Sequence, residues 1–173
     1  MNITTTIKIY DVDENYLKQL AKEDGEVRLS KDTIRPYLFT KITLESGKEV
    51  LIPLSSPKTG KFRAKDIVDD IYDVDDLTRV IGHLEYHKMI PFHEDIAKLI
   101  DIAHYPDIKY RALLEKDYKY LDAYIGINNI EAKAKIIYKA RYNESHYLYQ
   151  RYLKNMGTDI ALLEKVLIEY LAT

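Results

Sequence analysis

Hydrophobic and polar residues alternate most regularly over residues 38–45, where Leu38, Ile42 and Leu44 fall on one face of an extended chain. A Ser46-Gly47 pair follows and leads into the apolar run 50–52. Alternation with a period of two, a glycine turn and a second apolar run predict a β-hairpin. Pro53 has no N–H to donate, so the second strand is predicted to end there or to lie at a sheet edge.

The other elements divide the chain into strands first and helices later. A strand is predicted at residues 7–10, a helix from its N-cap Asp13 to about Gly25, and a strand at residues 77–84. From about Phe92 the pattern becomes helical, with one helix starting in a capping box at Asn128 and a last helix with a stripe of apolar residues at 162–170. The breaks between the helices are at Pro106, Asn128-Asn129, Asn143 and Gly157.

This order of elements is typical of an α+β fold, in which helices pack on an antiparallel sheet. We expect one domain over residues 1–173, β-rich in 1–92 and helical in 93–173, with a twisted, barrel-like sheet as its core. The 46% apolar and 31% charged residues are typical of a folded globular protein and exclude the disordered and fibrous classes. The chain has no cysteine, which excludes disulfides, thiolate nucleophiles and cysteine-based zinc sites. Without a signal-peptide pattern or a membrane-spanning run, we expect a cytoplasmic protein.

Charge is distributed unevenly along the chain. Residues 1–65 carry 12 lysines and arginines against 9 acidic residues, whereas residues 66–173 carry 14 against 19. The densest basic stretch lies in residues 58–65 and is followed directly by six aspartates between residues 66 and 76. Such runs are usually solvated surface. A basic cluster directly after a Ser-Ser-Pro turn is less ordinary, and it is a candidate phosphate-binding surface.

Metal and nucleotide cofactors are not expected. His83 and His87 are four residues apart, but they fall in a strand followed by a loop, where this spacing does not bring two ligands together. Surface or supporting roles are therefore favoured for both. The acidic run 66–76 lacks the glycine of a calcium loop, and the six glycines of the chain are too scattered for a phosphate-binding loop.

The segment 53–58, Pro-Leu-Ser-Ser-Pro-Lys, carries the candidate chemistry. The hydroxyls of Ser55 and Ser56 and the ammonium of Lys58 lie within four residues at the end of a predicted strand. A turn in which a serine caps a following helix is the ordinary interpretation. Two hydroxyls and a cation can also hold a phosphodiester and stabilise the charge that develops on it, and RNA supplies its own nucleophile in the 2′-OH. Most of the sixteen tyrosines lie in the helical half, where we expect mainly core and subsurface packing with the hydroxyl reaching water, while a minority could stack on unpaired RNA bases.

An ordered set of motifs resembles a known family. The set comprises Arg35-Pro36-Tyr37-Leu38, the hairpin, residues 52–58, Gly82, Met89-Ile90-Pro91 and residues 110–114. It resembles the ToxN/AbiQ (CptN-like) endoribonuclease toxins of type III toxin–antitoxin systems over about residues 6–125. The family hallmark is a Pro-Leu-(Ser/Thr)-Ser-Pro-Lys loop followed by a Met-Ile-Pro segment.

The resemblance implies a fold similar to Kid/MazF-type toxins and a metal-independent RNA cleavage that yields 2′,3′-cyclic phosphate and 5′-hydroxyl ends. It further implies a role in abortive infection, phage defence or growth inhibition. The implied inhibitor is a small repeat-encoded RNA pseudoknot, whose precursor the toxin processes. Toxin and RNA would form a two-plus-two or three-plus-three assembly.

The resemblance also implies site residues. Ser55, Ser56, Lys58 and Tyr16 match active-site positions, and Arg35 stands where the family often has a basic residue. A second upstream tyrosine of the family has no counterpart; Lys31 is the nearest position.

The proposed roles follow from the chemistry of these groups. Lysine is neutral at pH 7 only at a cost of about 4.6 kcal/mol, so a cationic role for Lys58 on the phosphorane is favoured. Ser56, with Ser55 beside it, would contact the 2′-OH or a non-bridging oxygen, and Tyr16 a base or phosphate. The neighbouring cations that we expect to contact RNA are Lys61, Arg63 and Lys65, together with Arg35 and Lys31.

Two other functions stay open at this point. The basic loop and the tyrosines would equally serve a non-catalytic, RNA-binding regulatory protein on the same fold. A protein-interaction module with a tyrosine-rich helical face is a third possibility.

Overall fold

The computed structural model describes residues 7–27, 29, 38–57 and 64–173. The predictions for Lys31, Arg35, Lys58, Lys61 and Arg63 lie outside these residues. The described strands form one antiparallel sheet in the order β4-β5-β3-β2-β1-β7, with β6 beside β3. Their bounds are β1 (Ile9–Val12), β2 (Leu38–Thr43), β3 (Glu49–Ser55), β4 (Val68–Asp73), β5 (Asp76–Glu85), β6 (Ile90–Pro91) and β7 (Ala97–Leu99).

Helices cover the sheet. They are α1 (Glu14–Glu23), α2 (Ile108–Tyr120), α3 (Ile127–Arg141), the short α4 (Lys154–Met156) and α5 (Ile160–Ala172). A π-helical turn at Leu121–Ile125 follows α2, and another at Tyr149–Leu153 precedes α4. Two 3₁₀ turns occupy Tyr86–Lys88 and Ile102–His104. The predicted α+β class, an antiparallel sheet with surrounding helices, is confirmed. The sheet is open, with β4 and β7 at the ends of its strand order.

The sheet is buried on both faces, as the alternation along β3 shows. Val50 and Ile52 belong to one core with residues of α2 and α3, whereas Leu51 belongs to a second core with residues of α1 and α5. All three side chains are fully buried. This position between two helical layers explains why residues 50–52 are continuously apolar rather than alternating.

Several elements agree with the sequence prediction. The β2–β3 hairpin has its predicted turn, with Thr43 in register with Glu49. The side chain of Asp13 accepts a hydrogen bond from the Tyr16 N–H at 2.9 Å and caps α1. The predicted strand at 77–84 is β5, and the apolar stripe of the last helix is buried in α5.

The prediction for Pro53 is wrong. Strand β3 continues through Pro53 to Ser55 and lies inside the sheet, between β2 and β5. On one side Pro53 is in register with Phe39 of β2. On its other side β3 pairs with β6 up to Leu51 and with β5 only from Leu54. Pro53 therefore lies where the pairing partner on that side changes.

Three further predictions need correction. Residues 92–107 are not helical, since they contain β7, which pairs with β1, and a 3₁₀ turn. Helix α3 begins at Ile127 after Gly126, whose φ of 85° only glycine adopts readily, and not in a capping box at Asn128. Most of the acidic run 66–76 forms β4 and the turn into β5 rather than free surface. In the part of the chain that the structure describes, no helix is long and apolar enough to cross a membrane.

Candidate functional site

The Ser-Ser-Pro segment leaves the sheet at the end of a central strand. Ser55 is the last residue of β3 and is in register with His83 of β5. Its Oγ is buried and finds no hydrogen-bond partner in the part of the chain that the structure describes. Ser56 follows outside the strand and is exposed. The two hydroxyls thus mark the point where the chain passes from rigid sheet to surface.

Three polar side chains lie in one row across the sheet at this point. His83 is in register with Ser55 on one side and with Asp70 of β4 on the other. Directly opposed residues of neighbouring strands present their side chains on the same face. His83 Nδ1 and Asp70 Oδ1 are 2.8 Å apart, and each side chain is 11% exposed. The row therefore places a hydroxyl, an imidazole and a carboxylate side by side, largely shielded from water.

Gly82 permits the close approach of β3 to β5 at this end. A Cβ at Gly82 would lie 2.9 Å from the carbonyl oxygen of Ser55, which is shorter than the contacts that Cβ atoms make in proteins. Gly82 is one of the positions that carried the family resemblance. Its physical role here is to let the strand end that bears Ser55 sit against β5.

The far end of the basic segment is anchored to the neighbouring hairpin. The N–H groups of Ile67 and Val68 both donate to the Ala64 carbonyl at 3.0 Å, and Tyr86 N–H donates to the Ile67 carbonyl at 3.1 Å. Lys65 lies in this turn with an exposed side chain. Residues 58–63 thus connect two fixed points, the end of β3 and the turn before β4.

Lys133 of α3 fastens this turn to the helical layer. Its ammonium donates to the Lys65 carbonyl and to Asp69 Oδ1, both at 2.8 Å. Tyr86 donates its hydroxyl to the other oxygen of Asp69 at 2.5 Å. Burial and the nearby Asp69 charge raise the pKa of Tyr86, so its phenol stays protonated and remains a donor. Asp69 of the acidic run therefore helps to hold the turn that contains Lys65.

Tyr16, the fourth predicted active-site residue, lies inside the core. Its side chain is 0% exposed, and its ring centroid is 5.3 Å from that of Tyr170 in α5. Its hydroxyl has no hydrogen-bond partner among the described residues, and burial raises its pKa. It belongs to the same core as Leu51, which places it on the side of the sheet that Ser55 faces. The structure brings Ser55 and Ser56 together at a strand end but keeps the Tyr16 phenol beneath Tyr170.

The histidine prediction needs correction in one respect. His83 and His87 are buried rather than on the surface, with 8% and 4% of their area exposed. Sequence reasoning missed the pairing of His83 with Asp70, since residues 13 positions apart meet only through the β4–β5 register. In the described ranges, no group of three or more histidine, aspartate and glutamate side chains is arranged to hold a metal ion.

The tyrosines of the helical half mostly pack against the core, as expected, whereas Tyr124, Tyr142 and Tyr147 are exposed. Tyr120 stacks on Tyr124 with centroids 5.1 Å apart and contacts Tyr72 of β4 at 5.7 Å. Tyr124 is 55% exposed. Burial raises the pKa of Tyr120, and Tyr72, Asp69 and Asp70 add to this effect.

Comparisons with known proteins give consistent results. Residues 8–168 match the family model described as "Toxin ToxN, type III toxin-antitoxin system". The chain is 27% identical over 123 residues to Endoribonuclease ToxN of Pectobacterium atrosepticum, covering 68% of this chain and 72% of that protein.

Solved structures share the fold over almost the whole chain. One belongs to a type III toxin–antitoxin system with selective toxin inhibition by a non-coding RNA pseudoknot; its TM-score is 0.84 at 25% identity, covering 98% of this chain and 100% of that one. Another is AbiQ, a lactococcal anti-phage endoribonuclease, with a TM-score of 0.69 at 18% identity and coverage of 98% and 100%.

Proposed function

Because the chain belongs to the ToxN family of type III toxin–antitoxin toxins, we propose that it is a cytoplasmic endoribonuclease that uses no metal ion and acts in phage defence or growth inhibition. Residues 1–173 would act as one domain. The observation that carries the proposal is the strand end at Ser55 and Ser56, which the sheet holds rigidly and which opens directly into the most basic segment of the chain.

The proposed reaction is an internal transesterification of RNA. The 2′-oxygen forms a bond to phosphorus, the bond from phosphorus to the 5′-oxygen breaks, and a proton leaves the 2′-OH while another is taken up by the 5′-oxygen. The products are a 2′,3′-cyclic phosphate and a 5′-hydroxyl end. Holding the 2′-OH in line with the leaving oxygen can supply a large part of the acceleration.

We propose the residue roles from the chemistry of each group. Ser56, exposed beside the strand end, contacts the 2′-OH or a non-bridging oxygen, with Ser55 next to it. Lys58, two positions further on, stabilises the negative charge of the phosphorane as a cation. A buried hydroxyl that lacks a partner costs about 1–3 kcal/mol, so Ser55 gains when substrate supplies that partner.

The remaining cations would guide the RNA strand. Lys65 is exposed in the anchored turn, and Lys61, Arg63, Arg35 and Lys31 complete the proposed RNA-binding set. Tyr16 keeps its proposed place in the active site, and contact with a base or phosphate would require its fully buried ring to become accessible.

The proposed partner is a small RNA. A similar chain belongs to a system in which an RNA pseudoknot inhibits the toxin. We propose that such an RNA, processed by the toxin from a repeat-encoded precursor, inhibits this chain in a two-plus-two or three-plus-three assembly.

Cleavage of a defined, A-rich RNA oligonucleotide tests the proposal. We expect cyclic phosphate and 5′-hydroxyl ends in the presence of EDTA, and no cleavage when the nucleotide before the scissile bond is 2′-deoxy. Ser56→Ala and Lys58→Ala should each lower kcat by about 10²–10³-fold. Ser46→Ala, in the exposed turn at the opposite end of β3, is the matched control and should cleave like the wild type.

The main alternative, a non-catalytic RNA-binding protein, makes a different prediction in the same experiment. It would bind the oligonucleotide with an affinity that falls steeply with salt, because neutralised phosphates release counterions, yet leave the RNA at full length. Full-length RNA with the wild-type protein, or full activity in Ser56→Ala and Lys58→Ala, would contradict our proposal.

A further inference from the structure

We propose that His83 and Asp70 form a positioning pair for Ser55 in RNA cleavage. This inference rests on the proposed function and adds two residues to it that no family motif in the sequence contains. His83 and Asp70 are positioning residues, because they act through Ser55 and do not contact the reacting atoms.

The first argument is the register of three strands. Ser55 of β3 is directly opposite His83 of β5, and His83 is directly opposite Asp70 of β4. Directly opposed residues in antiparallel strands have Cβ atoms about 4.5–5.5 Å apart and share a face of the sheet. The imidazole is therefore the side chain next to Ser55 on that face.

The second argument is the fixed orientation of the imidazole. His83 Nδ1 and Asp70 Oδ1 are 2.8 Å apart, and both side chains are 11% exposed. A hydrogen bond to a carboxylate is among the stronger ones in proteins, and low exposure reduces competition from water. The contact requires the proton on Nδ1, since a carboxylate can only accept. Asp70 thus selects the protonation of Nδ1 and holds the ring plane in place.

The third argument is the state of Ser55 itself. Its Oγ is buried and without a hydrogen-bond partner among the described residues. Gly82 lets the backbone of Ser55 sit close against β5. An unpartnered buried hydroxyl is unfavourable by about 1–3 kcal/mol, and it can donate or accept when an RNA oxygen arrives. A rigid neighbour that limits where this hydroxyl can point would order it in advance. Misplacement of a reacting group by about 1 Å can lower the rate about 10²-fold.

The chain contains a second histidine–aspartate pair that serves as a control. His104 Nδ1 and Asp101 Oδ2 are also 2.8 Å apart, but these side chains are 83% and 68% exposed and lie only three residues apart in the chain. A buried pair in register with the candidate site should affect cleavage, whereas this exposed pair should not.

A double-mutant cycle tests the proposal. The variants are His83→Gln, Ser55→Ala and their combination, with His104→Gln as the matched control, and kcat and KM are measured on the same RNA oligonucleotide. We expect His83→Gln to lower kcat about 10–100-fold, with KM within about threefold of the wild type. In the Ser55→Ala background, adding His83→Gln should lower kcat less than about twofold, because the residue through which His83 acts is gone.

Several results would overturn the proposal. One is wild-type kcat in His83→Gln; another is a loss that is fully additive with that of Ser55→Ala. Thermal unfolding of each variant shows whether it is folded. If His83→Gln does not fold, Asp70→Ala takes its place in the cycle, since alanine removes the acceptor that orients the imidazole; the same two outcomes then decide. If the wild type fails to cleave RNA at all, the proposed function fails, a result distinguishable from a cleaving enzyme that is indifferent to His83.

Discussion

Replacing Asp117 with asparagine should make the fold more stable above neutral pH. Asp117 lies in α2 with 5% of its area exposed, and its Oδ1 has no hydrogen-bond partner among the described residues. It is one turn from Leu114 and one turn from Leu121, both fully buried. Burial raises the pKa of this carboxyl from its ordinary value of 3.8 to about 7. The folded protein thus keeps a proton that the unfolded chain releases.

The sign and size of the effect follow from this difference. Between pH 3.8 and about 7 the folded state binds more protons at Asp117 than the unfolded state, so the free energy of unfolding falls as pH rises through this window. Below pH 3.8 Asp117 is protonated in both states, and above about 7 it is ionised in both. Its contribution to the free energy of unfolding therefore does not change with pH outside this window. One pH unit corresponds to about 1.4 kcal/mol, so the total loss is on the order of 4 kcal/mol. Asparagine has nearly the same shape and cannot ionise, and it should avoid this loss.

Urea denaturation from pH 4 to pH 8 measures the effect. We expect Asp117→Asn and the wild type to unfold with free energies within about 1 kcal/mol of each other at pH 4. At pH 8 the variant should be more stable by about 2–4 kcal/mol. Asp122→Asn, an exposed position in the following turn, is the control and should follow the wild-type pH profile. Parallel profiles for Asp117→Asn and the wild type would refute the reasoning, because the buried carboxyl would then not titrate differently on folding.

Two further substitutions test how the candidate site is built. Gly82→Ala should destabilise the fold by about 1–3 kcal/mol and slow RNA cleavage, because its Cβ would lie 2.9 Å from the Ser55 carbonyl oxygen. Gly25→Ala, with nothing within 4 Å, should change neither the thermal unfolding nor the cleavage rate, and equal behaviour of the two variants would argue against the steric explanation. Lys133→Met removes the ammonium that holds the turn before β4. It should lower the free energy of unfolding by about 1–3 kcal/mol and speed amide hydrogen exchange at Val68. Unchanged exchange there would show that the turn is held without it.

The sequence alone was sufficient for features that depend on neighbouring residues. Alternation and a Ser46-Gly47 turn predicted the β2–β3 hairpin, and a capping aspartate predicted the start of α1. Periods, turns and caps involve side chains a few positions apart, so they can be read without knowing the fold. The ordered motifs likewise carried the family, which the match over residues 8–168 confirms. The roles of the site residues stay predictions.

Tertiary structure decided what depends on distant segments. Pro53 was expected at a strand end or sheet edge, yet it lies inside the sheet. It is placed where the neighbour of β3 on one side changes from β6 to β5. The acidic run was expected to be solvated surface, yet Asp69 and Asp70 pair with Lys133 and His83. No local pattern indicates which strands will be neighbours or in what register.

The burial of polar groups is the clearest case. Tyr16 lies on the buried face of α1, but only the packing of α5 places Tyr170 against its ring. The row from Ser55 through His83 to Asp70 exists because three strands align, and a shift of one residue would turn His83 to the opposite face. The chain therefore specifies its elements and its family through short-range patterns. Which side chains share a site is determined by long-range strand pairing and helix packing, whose energies involve residues far apart in the sequence.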